Sequence, residues 1–413
     1  MFLMSRKLYV NCPTDNVLLS LRCLLLKEEV AIVSVGCVGF QPVTPELSYK
    51  EIMFEAAVRA YEEVGVNPRK DIDAFVTCAE DYWEGFSIFD EFVPDQLGAV
   101  LKNLFTVSAD GLFGLATAYM LVKTGHFDLV AVEAHSKASD IQTYEGIVNF
   151  AFDPVFNRPL GGHPYYVAGM EMMRYLYETG TKREQCAQVA VKNKRNALLN
   201  PHACYGAKIT VEDVLNSETQ FYPLKKLEIS QLSDGCVVFL VASAEMAKKL
   251  TDRPVWIRGV GWCTETPCLE TRDWGRAVHA EIAAEMAYKM AGISNPVKQI
   301  DFAEVCDMFA YKELMHMEAL KLCRRGEAGQ LVEEGVTGLD GELPVNPSGG
   351  MLGMGYALEA SGTQRLLEAF LQLRGQAGKR QLDNIETCVI HTWRGIPTAT
   401  SAVAVLSSEK EGE

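Results

Sequence analysis

The fold is decided by three consecutive segments, VAIVSVGCV at Val30–Val38, YKEIMFEAAVRAYEEV at Tyr49–Val64 and IDAFVT at Ile72–Thr77. The first and third are short and rich in β-branched residues, which is typical of strands. The second repeats apolar residues at three-to-four spacing, which predicts a helix packed by one face. The same order of segments returns later in the chain, at Val255–Val260, Trp274–Ala291 and Phe302–Cys306. A strand–helix–strand unit therefore occurs twice.

The repeat continues beyond these units. In the first half, Leu104–Val107 is followed by a turn, Ser108–Gly111, and by a nearly all-apolar helix, Leu112–Val122. In the second half, a glycine-rich turn, Gly349–Gly355, precedes a helix at about Gly362–Leu373. A further strand follows each of these helices. A helix that is apolar on all sides has to lie between layers. The pattern predicts an internally duplicated α/β fold in which two sheets enclose buried helices.

The composition excludes several classes of protein. Of 413 residues, 48% are hydrophobic and 23% are charged, a balance that excludes wholesale disorder. The net charge is −15 and no run of Lys and Arg exceeds two residues, so we expect no nucleic-acid partner. The twelve cysteines include no CxxC spacing, which predicts free thiols in the cytoplasm and no metal site. The apolar stretch Val17–Leu26 is too short to span a bilayer, so we expect no membrane association.

We predict three parts in the chain: an N-terminal extension at 1–28, a first half at 29–250 and a second half at 251–413. The first half contains an insertion, at about 141–232, that is rich in proline and aromatic residues. Insertions of this length usually carry function. The insertion holds a basic cluster within this acidic chain, formed by Lys192, Lys194 and Arg195. The cluster favours an anionic ligand such as a nucleotide phosphate, and the alternative is the solvated face of a helix.

Several motifs resemble those of the thiolase superfamily. They are VKNKRNALLN at Val191–Asn200, TVEDVLNS at Thr210–Ser217, SDG at Ser233–Gly235, LPVNPSGG at Leu343–Gly350 and LQLRG at Leu371–Gly375. Over about 30–406, the chain is similar to archaeal acetyl-CoA acetyltransferases and to the thiolase of sterol carrier protein X. The resemblance implies the thiolase fold, a duplicated five-layered α-β-α-β-α sandwich with an inserted loop domain. It also implies a homodimer core and coenzyme A (CoA) as co-substrate, with no covalently bound cofactor.

The motifs that carry catalysis in thiolases are altered in this chain. The family's C-A-S-G pattern reads S-A-D-G, so Ser108 occupies the position of the nucleophilic cysteine. The family's H-D-C-F reads C-D-M-F at Cys306–Phe309, and its G-H-P reads G-Y-A, which puts Tyr356 in place of a histidine. The family's H-N-x-G-G reads H-T-W-R-G, and of these motif histidines only His391 is retained.

Cleavage of a 3-oxoacyl-CoA requires a nucleophile, a base, an acid and an oxyanion hole. We expect Cys306 to be the nucleophile, because a thiol passes an acyl group to CoA at nearly constant energy, whereas an ester on Ser108 would be hard to transfer. His391 is the expected base, and Tyr356 the expected hydrogen-bond donor or acid. The alternatives are a buried structural cysteine at 306 and an aromatic side chain that fills a vacated pocket at 356. All four side chains are expected in one cleft.

The residues expected to contact CoA and substrate come from three segments. The basic cluster would hold the phosphates of CoA, and the pantetheine arm would run toward Gly349 and Gly350. Asn346 and these glycines are expected to shape a tight turn against the ligand. Arg394 offers a planar fork that suits a carboxylate on the acyl group. The alternative for Arg394 is a salt bridge to a nearby Asp or Glu.

Three functions remain open from the sequence. The first is a thiolase, an acyltransferase of β-oxidation type that cleaves a bulky or carboxylated 3-oxoacyl-CoA with CoA. The similar example is benzoylsuccinyl-CoA thiolase of anaerobic aromatic catabolism, which implies a heterotetramer with a small zinc-ribbon and OB-fold partner. The second is a thiolase-like retro-aldolase, a lyase that needs acid and base groups but no acyl-enzyme. The third is a non-catalytic thiolase-like subunit.

Overall fold

The computed structural model describes residues 29–409 except 84, 86 and 267, so the predicted extension at 1–28 lies outside the described residues. The strands in this range are β1 Val30–Gln41, β2 Ala74–Cys78, β3 Asn103–Val107, β4 Leu129–Lys137, β5 Thr219–Phe221, β6 Leu224–Lys225, β7 Asp234–Ser243, β8 Val255–Thr264, β9 Phe302–Glu304, β10 Thr387–Trp393 and β11 Thr400–Ser407. The α-helices are α1 Tyr49–Val64, α2 Pro68–Asp71, α3 Pro94–Leu97, α4 Gly111–Lys123, α5 Tyr144–Phe150, α6 Tyr166–Thr179, α7 Arg183–Ala197, α8 Val211–Asn216, α9 Ala244–Leu250, α10 Val278–Ala291, α11 Pro296–Gln299, α12 Ala310–Ala319, α13 Ala328–Glu333, α14 Gly350–Met354 and α15 Ser361–Leu373. None of these described helices is long and apolar enough to cross a membrane.

Nine strands form one mixed sheet in the order β3-β2-β4-β7-β1-β8-β11-β10-β9. In the first half, β7 pairs antiparallel with β1, and β4 pairs antiparallel with β7. Strand β2 then pairs parallel with β4, and β3 pairs parallel with β2. In the second half, β11 pairs antiparallel with β8, and β10 pairs antiparallel with β11. Strand β9 then pairs parallel with β10. The counterpart of β3 is reduced to one parallel bridge between Ala303 and Val345. The pairing pattern of the first half therefore returns in the second.

The two sheets predicted from the sequence are joined at their edges. Strands β1 and β8 pair antiparallel where Ala31 faces Trp256 and Ile32 faces Val255. The predicted boundary between residues 250 and 251 falls in the connection from α9 to β8. This boundary stays a prediction, because the strands on its two sides belong to one continuous sheet.

The first strand of each half carries a glycine where the first long helix of that half crosses it. A Cβ at Gly36 in β1 would overlap the carbonyl oxygen of Ala56 in α1. A Cβ at Gly259 in β8 would overlap the carbonyl oxygen of Ala287 in α10 in the same way. Both halves therefore place their outer helix directly against strand backbone, an approach that only glycine permits.

Helices α4 and α15 form the buried middle of the molecule. The apolar residues of α4 pack in the same core cluster as Leu366 and Phe370 of α15. Helix α4 begins at an N-cap, Asp110, whose Oδ1 accepts from the backbone N–H of Leu112 at 3.0 Å. Its Oδ2 accepts from the backbone N–H of Gly362 in α15 at 2.7 Å. One carboxylate thus joins the amino-terminal ends of the two buried helices.

The insertion predicted at about 141–232 is folded. It contains α5 to α8 and the small β5–β6 hairpin, between the end of β4 and the start of β7. Helix α7 packs under the turn that opens α14, because a Cβ at Gly349 would lie 2.6 Å from the Cβ of Ala197. The insertion is therefore attached to the second half as well as to the first.

Candidate active site

A cavity of about 260 Å³ lies where the two halves and the insertion meet; we call it the tyrosine pocket. Its wall consists of Glu80, Trp83, Asp110, Tyr144, Ile147, Val148, Ala151, Tyr356, Leu358, Glu359, Trp393, Arg394, Ile396 and Thr398. The described residues of this wall include hydroxyl and carboxyl groups but no cysteine, serine, lysine or histidine. The pocket therefore presents oxygen acids and bases, together with aromatic surfaces.

Two phenols and an indole form the aromatic part of the tyrosine pocket. The rings of Tyr144 and Tyr356 meet edge to face with centroids 6.4 Å apart, and Trp83 stacks on Tyr144 at 5.7 Å. The hydroxyl of Tyr165 donates to that of Tyr144 at 3.2 Å. Burial, and then the charges of Tyr165 and Glu359, raise the pKa of Tyr356 well above its ordinary value, and a hydrogen bond from Tyr144 opposes the rise. Burial likewise raises the pKa of Tyr144. Both side chains are therefore proton donors near neutral pH.

Asp110 is the carboxylate at the inner end of the tyrosine pocket. Burial raises its pKa to about 6, while the backbone N–H of Leu112, the charge of Arg365, the backbone N–H of Gly362 and the side-chain hydroxyl of Thr392 oppose the rise. Near neutral pH it is therefore ionised, beside phenols that keep their protons. Sequence reasoning missed this role for Asp110. The available signal was the Asp directly before the first residue of an apolar helix, a preferred N-cap.

The structure does not bring Ser108 to the tyrosine pocket. Ser108 is exposed and follows β3, the strand at the edge of the sheet. Two residues later the turn directs Asp110 inward. The carboxylate, and not the hydroxyl, is the side chain of the S-A-D-G turn that reaches the pocket, so the geometry gives no support to a catalytic Ser108.

Cys306 and His391, predicted to lie together, are in contact. The backbone N–H of Cys306 donates to Nδ1 of His391 at 3.4 Å. Because Nδ1 accepts, the ring proton is on Nε2, which faces the Oγ of Ser401 at 3.0 Å. The same Oγ lies 2.8 Å from Nδ1 of His279, and Nδ1 of His316 lies 2.7 Å from the Cys306 carbonyl oxygen. These side chains form a second polar cluster, which we call the histidine cluster.

The histidine cluster is buried and its thiol is not activated. Cys306 and His391 have no exposed surface. Burial raises the pKa of Cys306, and burial followed by the charge of Arg365 lowers the pKa of His391 well below its ordinary value. Both groups are therefore neutral at pH 7. The lone pair of His391 accepts from a backbone N–H, and the Sγ of Cys306 faces Sδ of Met351 at 3.7 Å and the carbonyl oxygen of Trp393 at 4.0 Å.

Trp393 borders both the tyrosine pocket and the histidine cluster. Its side chain forms part of the pocket wall, and its carbonyl oxygen faces the thiol of Cys306. The indole N–H donates to the carbonyl oxygen of Thr398 at 2.9 Å, and Nζ of Lys312 lies 4.0 Å from the ring centroid. The indole is therefore fixed in place, in a residue that borders the pocket and, through its carbonyl oxygen, the buried thiol.

Arg394 lies in the wall of the tyrosine pocket but is already paired. Its guanidinium forms a salt bridge with Glu80, with Nε 2.6 Å from Oε1. The pocket also contains the carboxyl groups of Asp110 and Glu359. The structure thus has the alternative considered for Arg394, a salt bridge to a nearby acid.

The two lysines of the basic cluster are buried and bonded within the protein, and their contact with a phosphate stays a prediction. Nζ of Lys192 donates to the carbonyl oxygen of Val345 at 2.6 Å and lies 3.1 Å from Oε1 of Glu313. Nζ of Lys194 donates to the carbonyl oxygen of Leu352 at 2.9 Å. Both lysines serve to hold α7 under the turn that opens α14. Arg195 is exposed and stays a predicted phosphate contact.

Asn346, Gly349 and Gly350 form the tight turn predicted from the sequence. All three have positive φ, at 54°, 99° and 57°. The amide of Asn346 donates to Glu313 at 2.7 Å and accepts from the backbone N–H of Val305 at 2.8 Å. A Cβ at Gly350 would overlap the carboxylate of Asp307. The turn is therefore shaped against protein, and its contact with a ligand stays a prediction.

A second cavity, of about 700 Å³, adjoins the tyrosine pocket and was not predicted from the sequence. It is an outer groove formed by Gln142, Thr143, Tyr144, Glu145, Gly146, His163, Tyr165, Gln220, Phe221, Lys226, Ile229, Ser230, Gln231 and Leu232. Tyr144 belongs to both cavities. Lys226 is exposed in the outer groove, and His163 lies 2.9 Å from Glu145.

Comparisons with known proteins agree with this architecture. Residues 263–408 match the family described as Thiolase C-terminal domain-like. The acetyl-CoA acetyltransferase of Methanothermobacter thermautotrophicus is 33% identical over 387 residues, which cover 92% of this chain and 99% of the relative. The benzoylsuccinyl-CoA thiolase subunit BbsB of Thauera aromatica is 32% identical over 217 residues, which cover 52% of this chain and 56% of the relative. The solved structure of the Ltp2-ChsH2(DUF35) aldolase has a TM-score of 0.80 at 25% identity and covers 93% of this chain and 99% of that chain.

Proposed function

Because this chain belongs to the thiolase superfamily and has its α/β fold, we propose that it binds an acyl-CoA and cleaves a carbon–carbon bond of the acyl group by retro-aldol chemistry. The observation that carries this proposal is the contrast in access between two sets of side chains. The tyrosine pocket opens to Tyr144, Tyr356 and Asp110, whereas Cys306 is fully buried.

Retro-aldol cleavage of a 3-hydroxyacyl-CoA needs only the groups that line the tyrosine pocket. A base takes the proton of the 3-hydroxyl group, and an acid stabilises and protonates the enolate that leaves. No acyl-enzyme forms and no free CoA is consumed. Tyr356, which keeps its proton near neutral pH, has the properties of the acid.

The outer groove is where we propose that CoA binds. Tyr144 separates it from the tyrosine pocket, so an acyl-CoA lying in both cavities would place its thioester beside the phenols. Lys226 and Arg195 are the exposed cations that we assign to the phosphates. This placement does not use the buried Lys192 and Lys194.

The pocket favours a bulky and uncharged acyl group. Trp83 and Tyr144 supply flat aromatic surfaces. Arg394 is neutralised by Glu80, and two further carboxyl groups, of Asp110 and Glu359, face the cavity. A free carboxylate on the acyl group would meet more negative than positive charge there. We therefore propose a neutral 3-hydroxyacyl-CoA, and a benzoylsuccinyl-CoA-like substrate is the alternative.

Thiolytic acyl transfer is the second candidate function. It is favoured by the name of the relative that aligns with 92% of the chain and by the contact between Cys306 and His391. In that mechanism Trp393 would have to move so that substrate reaches the thiol. If the chain catalyses neither retro-aldol cleavage nor thiolytic acyl transfer, the third possibility, a non-catalytic thiolase-like subunit, applies.

The assembly that we propose has two kinds of contact. Strand β3 is an open edge of the sheet with Phe105 44% exposed, and we propose that a second copy of the chain pairs there. Beside the tyrosine pocket, the insertion exposes four apolar side chains, Phe150, Val155, Phe156 and Leu160. We assign this patch to a small OB-fold partner, since the aldolase structure similar to this chain contains a DUF35 protein. The free cysteines among the described residues suit a cytoplasmic protein.

A matched pair of substrates tests the proposed function. 3-Hydroxy-3-phenylpropanoyl-CoA without added CoA should yield benzaldehyde and acetyl-CoA. 3-Oxo-3-phenylpropanoyl-CoA with CoA should yield benzoyl-CoA and acetyl-CoA only from a thiolase. Formation of benzaldehyde without consumption of CoA supports the lyase. Consumption of CoA with the second substrate alone would overturn it in favour of the thiolase.

A further inference from the structure

The carboxyl groups that face the tyrosine pocket differ in what they bind. Glu80 forms a salt bridge with Arg394, and Glu359 accepts the indole N–H of Trp83 at 2.6 Å. Asp110 accepts two backbone N–H groups, one on each oxygen. The side-chain hydroxyl of Thr392 also interacts with this carboxylate. A carboxylate has about four lone-pair sites, so Asp110 retains acceptor capacity after these interactions.

We infer that Asp110 is the general base of the proposed reaction, the group that takes the proton from the 3-hydroxyl of the substrate. The inference rests on the proposed function. Its geometric basis is that Asp110 lies in the wall of the same cavity as Tyr356, at the amino-terminal ends of α4 and α15. The backbone N–H groups fix the position of its carboxylate in the cavity wall, and a fixed position is what a general base requires.

Asp110 and Tyr356 together account for every proton that moves during the cleavage. Asp110 accepts the 3-hydroxyl proton while the C2–C3 bond breaks, and C3 becomes the carbonyl carbon of the aldehyde or ketone product. The electron pair of the broken bond passes to C2 as the enolate of the shortened acyl-CoA. Tyr356 donates its proton to C2 and becomes a phenolate. Transfer of the proton from Asp110 to Tyr356 restores both groups, and no oxidant or metal takes part.

The ionisation of the pocket agrees with this division of roles. The phenols have pKa values raised well above the ordinary one, so they are not bases near neutral pH. Burial raises the pKa of Asp110 to about 6, close to the range that suits a general base at pH 7. The titratable and charged groups around it are Cys78 of β2, Arg365 of α15, and Glu80, Tyr356, Glu359 and Arg394 of the pocket wall. The base must be ionised, so turnover should rise with pH through about 6 and then stay constant.

The test compares Asp110→Asn with the wild-type chain on 3-hydroxy-3-phenylpropanoyl-CoA. Asparagine is as good an N-cap as aspartate, so α4 should remain formed. Its single amide oxygen accepts from the N–H of Leu112, and the bond to the N–H of Gly362 is lost. We expect kcat to fall by about 10²- to 10⁴-fold, the usual contribution of a general base. The rise of kcat with pH near pH 6 should also disappear. Binding of 3-phenylpropanoyl-CoA, which lacks the 3-hydroxyl, should change less than about threefold by calorimetry. Asp95→Asn, an exposed carboxylate of α3, is the matched control.

The outcomes separate this inference from the proposed function. If the wild type cleaves the substrate and Asp110→Asn does so at a similar rate with the same pH profile, the inference is wrong and the function stands. If the wild type releases no benzaldehyde at any pH, the proposed function itself is wrong. If Asp110→Asn does not fold, the wild-type profile still decides, because a rate independent of pH between 5 and 7 would overturn a base of this kind.

Discussion

The tyrosine pocket and the histidine cluster both border Trp393, and they differ in that the side chains of the first line a cavity and those of the second do not line it. The histidine cluster keeps a thiol and an imidazole in contact, but both are neutral and fully buried. The tyrosine pocket contains neither group, yet its phenols and Asp110 line an open cavity. The comparison teaches that a retained catalytic pair is not sufficient for chemistry. Access to the substrate and the protonation state of each group decide which set can act.

The strongest test of the comparison is a pair of substitutions, one on each side of Trp393. Tyr356→Phe removes the proposed acid and should lower the rate of retro-aldol cleavage about 10²- to 10⁴-fold. Cys306→Ala should change that rate less than about threefold, since the thiol does not line the pocket. Steady-state release of benzaldehyde measures both, with the exposed Tyr177→Phe as control. Loss of activity in Cys306→Ala together with normal activity in Tyr356→Phe would favour the thiolase.

A buried and an exposed cation of the basic cluster should differ in how much they contribute to the free energy of unfolding. Lys192→Met leaves Glu313 buried without its cation, and we expect the free energy of unfolding to fall by about 3–5 kcal/mol. Arg195→Met, one turn further along α7 and exposed, should change it by less than about 0.5 kcal/mol. Denaturant unfolding measures this difference. Calorimetry with CoA then separates the roles, because weakened binding is expected for Arg195→Met.

A smaller effect should follow when Trp393, which borders both the tyrosine pocket and the histidine cluster, is replaced by a smaller residue. Trp393→Leu removes the indole of the residue that borders both the pocket and Cys306, and we expect alkylation of Cys306 by iodoacetamide to accelerate at least about tenfold, since reactivity follows access and thiolate character. Mass spectrometry reports the rate at each cysteine. The partly exposed Cys268 and Cys323 serve as internal references. Equal labelling of Cys306 in both proteins would show that Trp393 does not control access to the thiol.

Local sequence signals predicted most of the fold. Helix α1 was predicted at Tyr49–Val64 and has those bounds, because Ser48 and Glu51 form a capping box and Gly65 ends the helix in a left-handed conformation. Helix α10 begins at Val278 and not at Trp274, since residues 274–277 form a bend and an irregular segment before the helix. The joining of the two sheets was not predictable from such signals, because it depends on pairing between β1 and β8, residues more than two hundred positions apart.

The site was less predictable, because burial is set by distant partners. The contact between Cys306 and His391 followed from motif positions. The burial of Lys192 depends on Glu313, which no local pattern connects to α7. Ser108 was aligned with a nucleophile by motif, but the direction of the turn, with Asp110 inward, is fixed by the N–H of Gly362 from the other half.

The hydrogen bond between Gly362 and Asp110 also limits which side chains position 110 can hold. It connects the two copies of an internal repeat, so a change at position 110 affects both copies at once. A neutral acceptor is enough for that connection, and the C-A-S-G pattern of thiolases has a serine at this position. The negative charge is therefore what distinguishes this chain from that pattern, while the ability to accept a hydrogen bond is what the architecture requires. The fold requires a hydrogen-bond acceptor at position 110, and either a hydroxyl or a carboxylate can provide it.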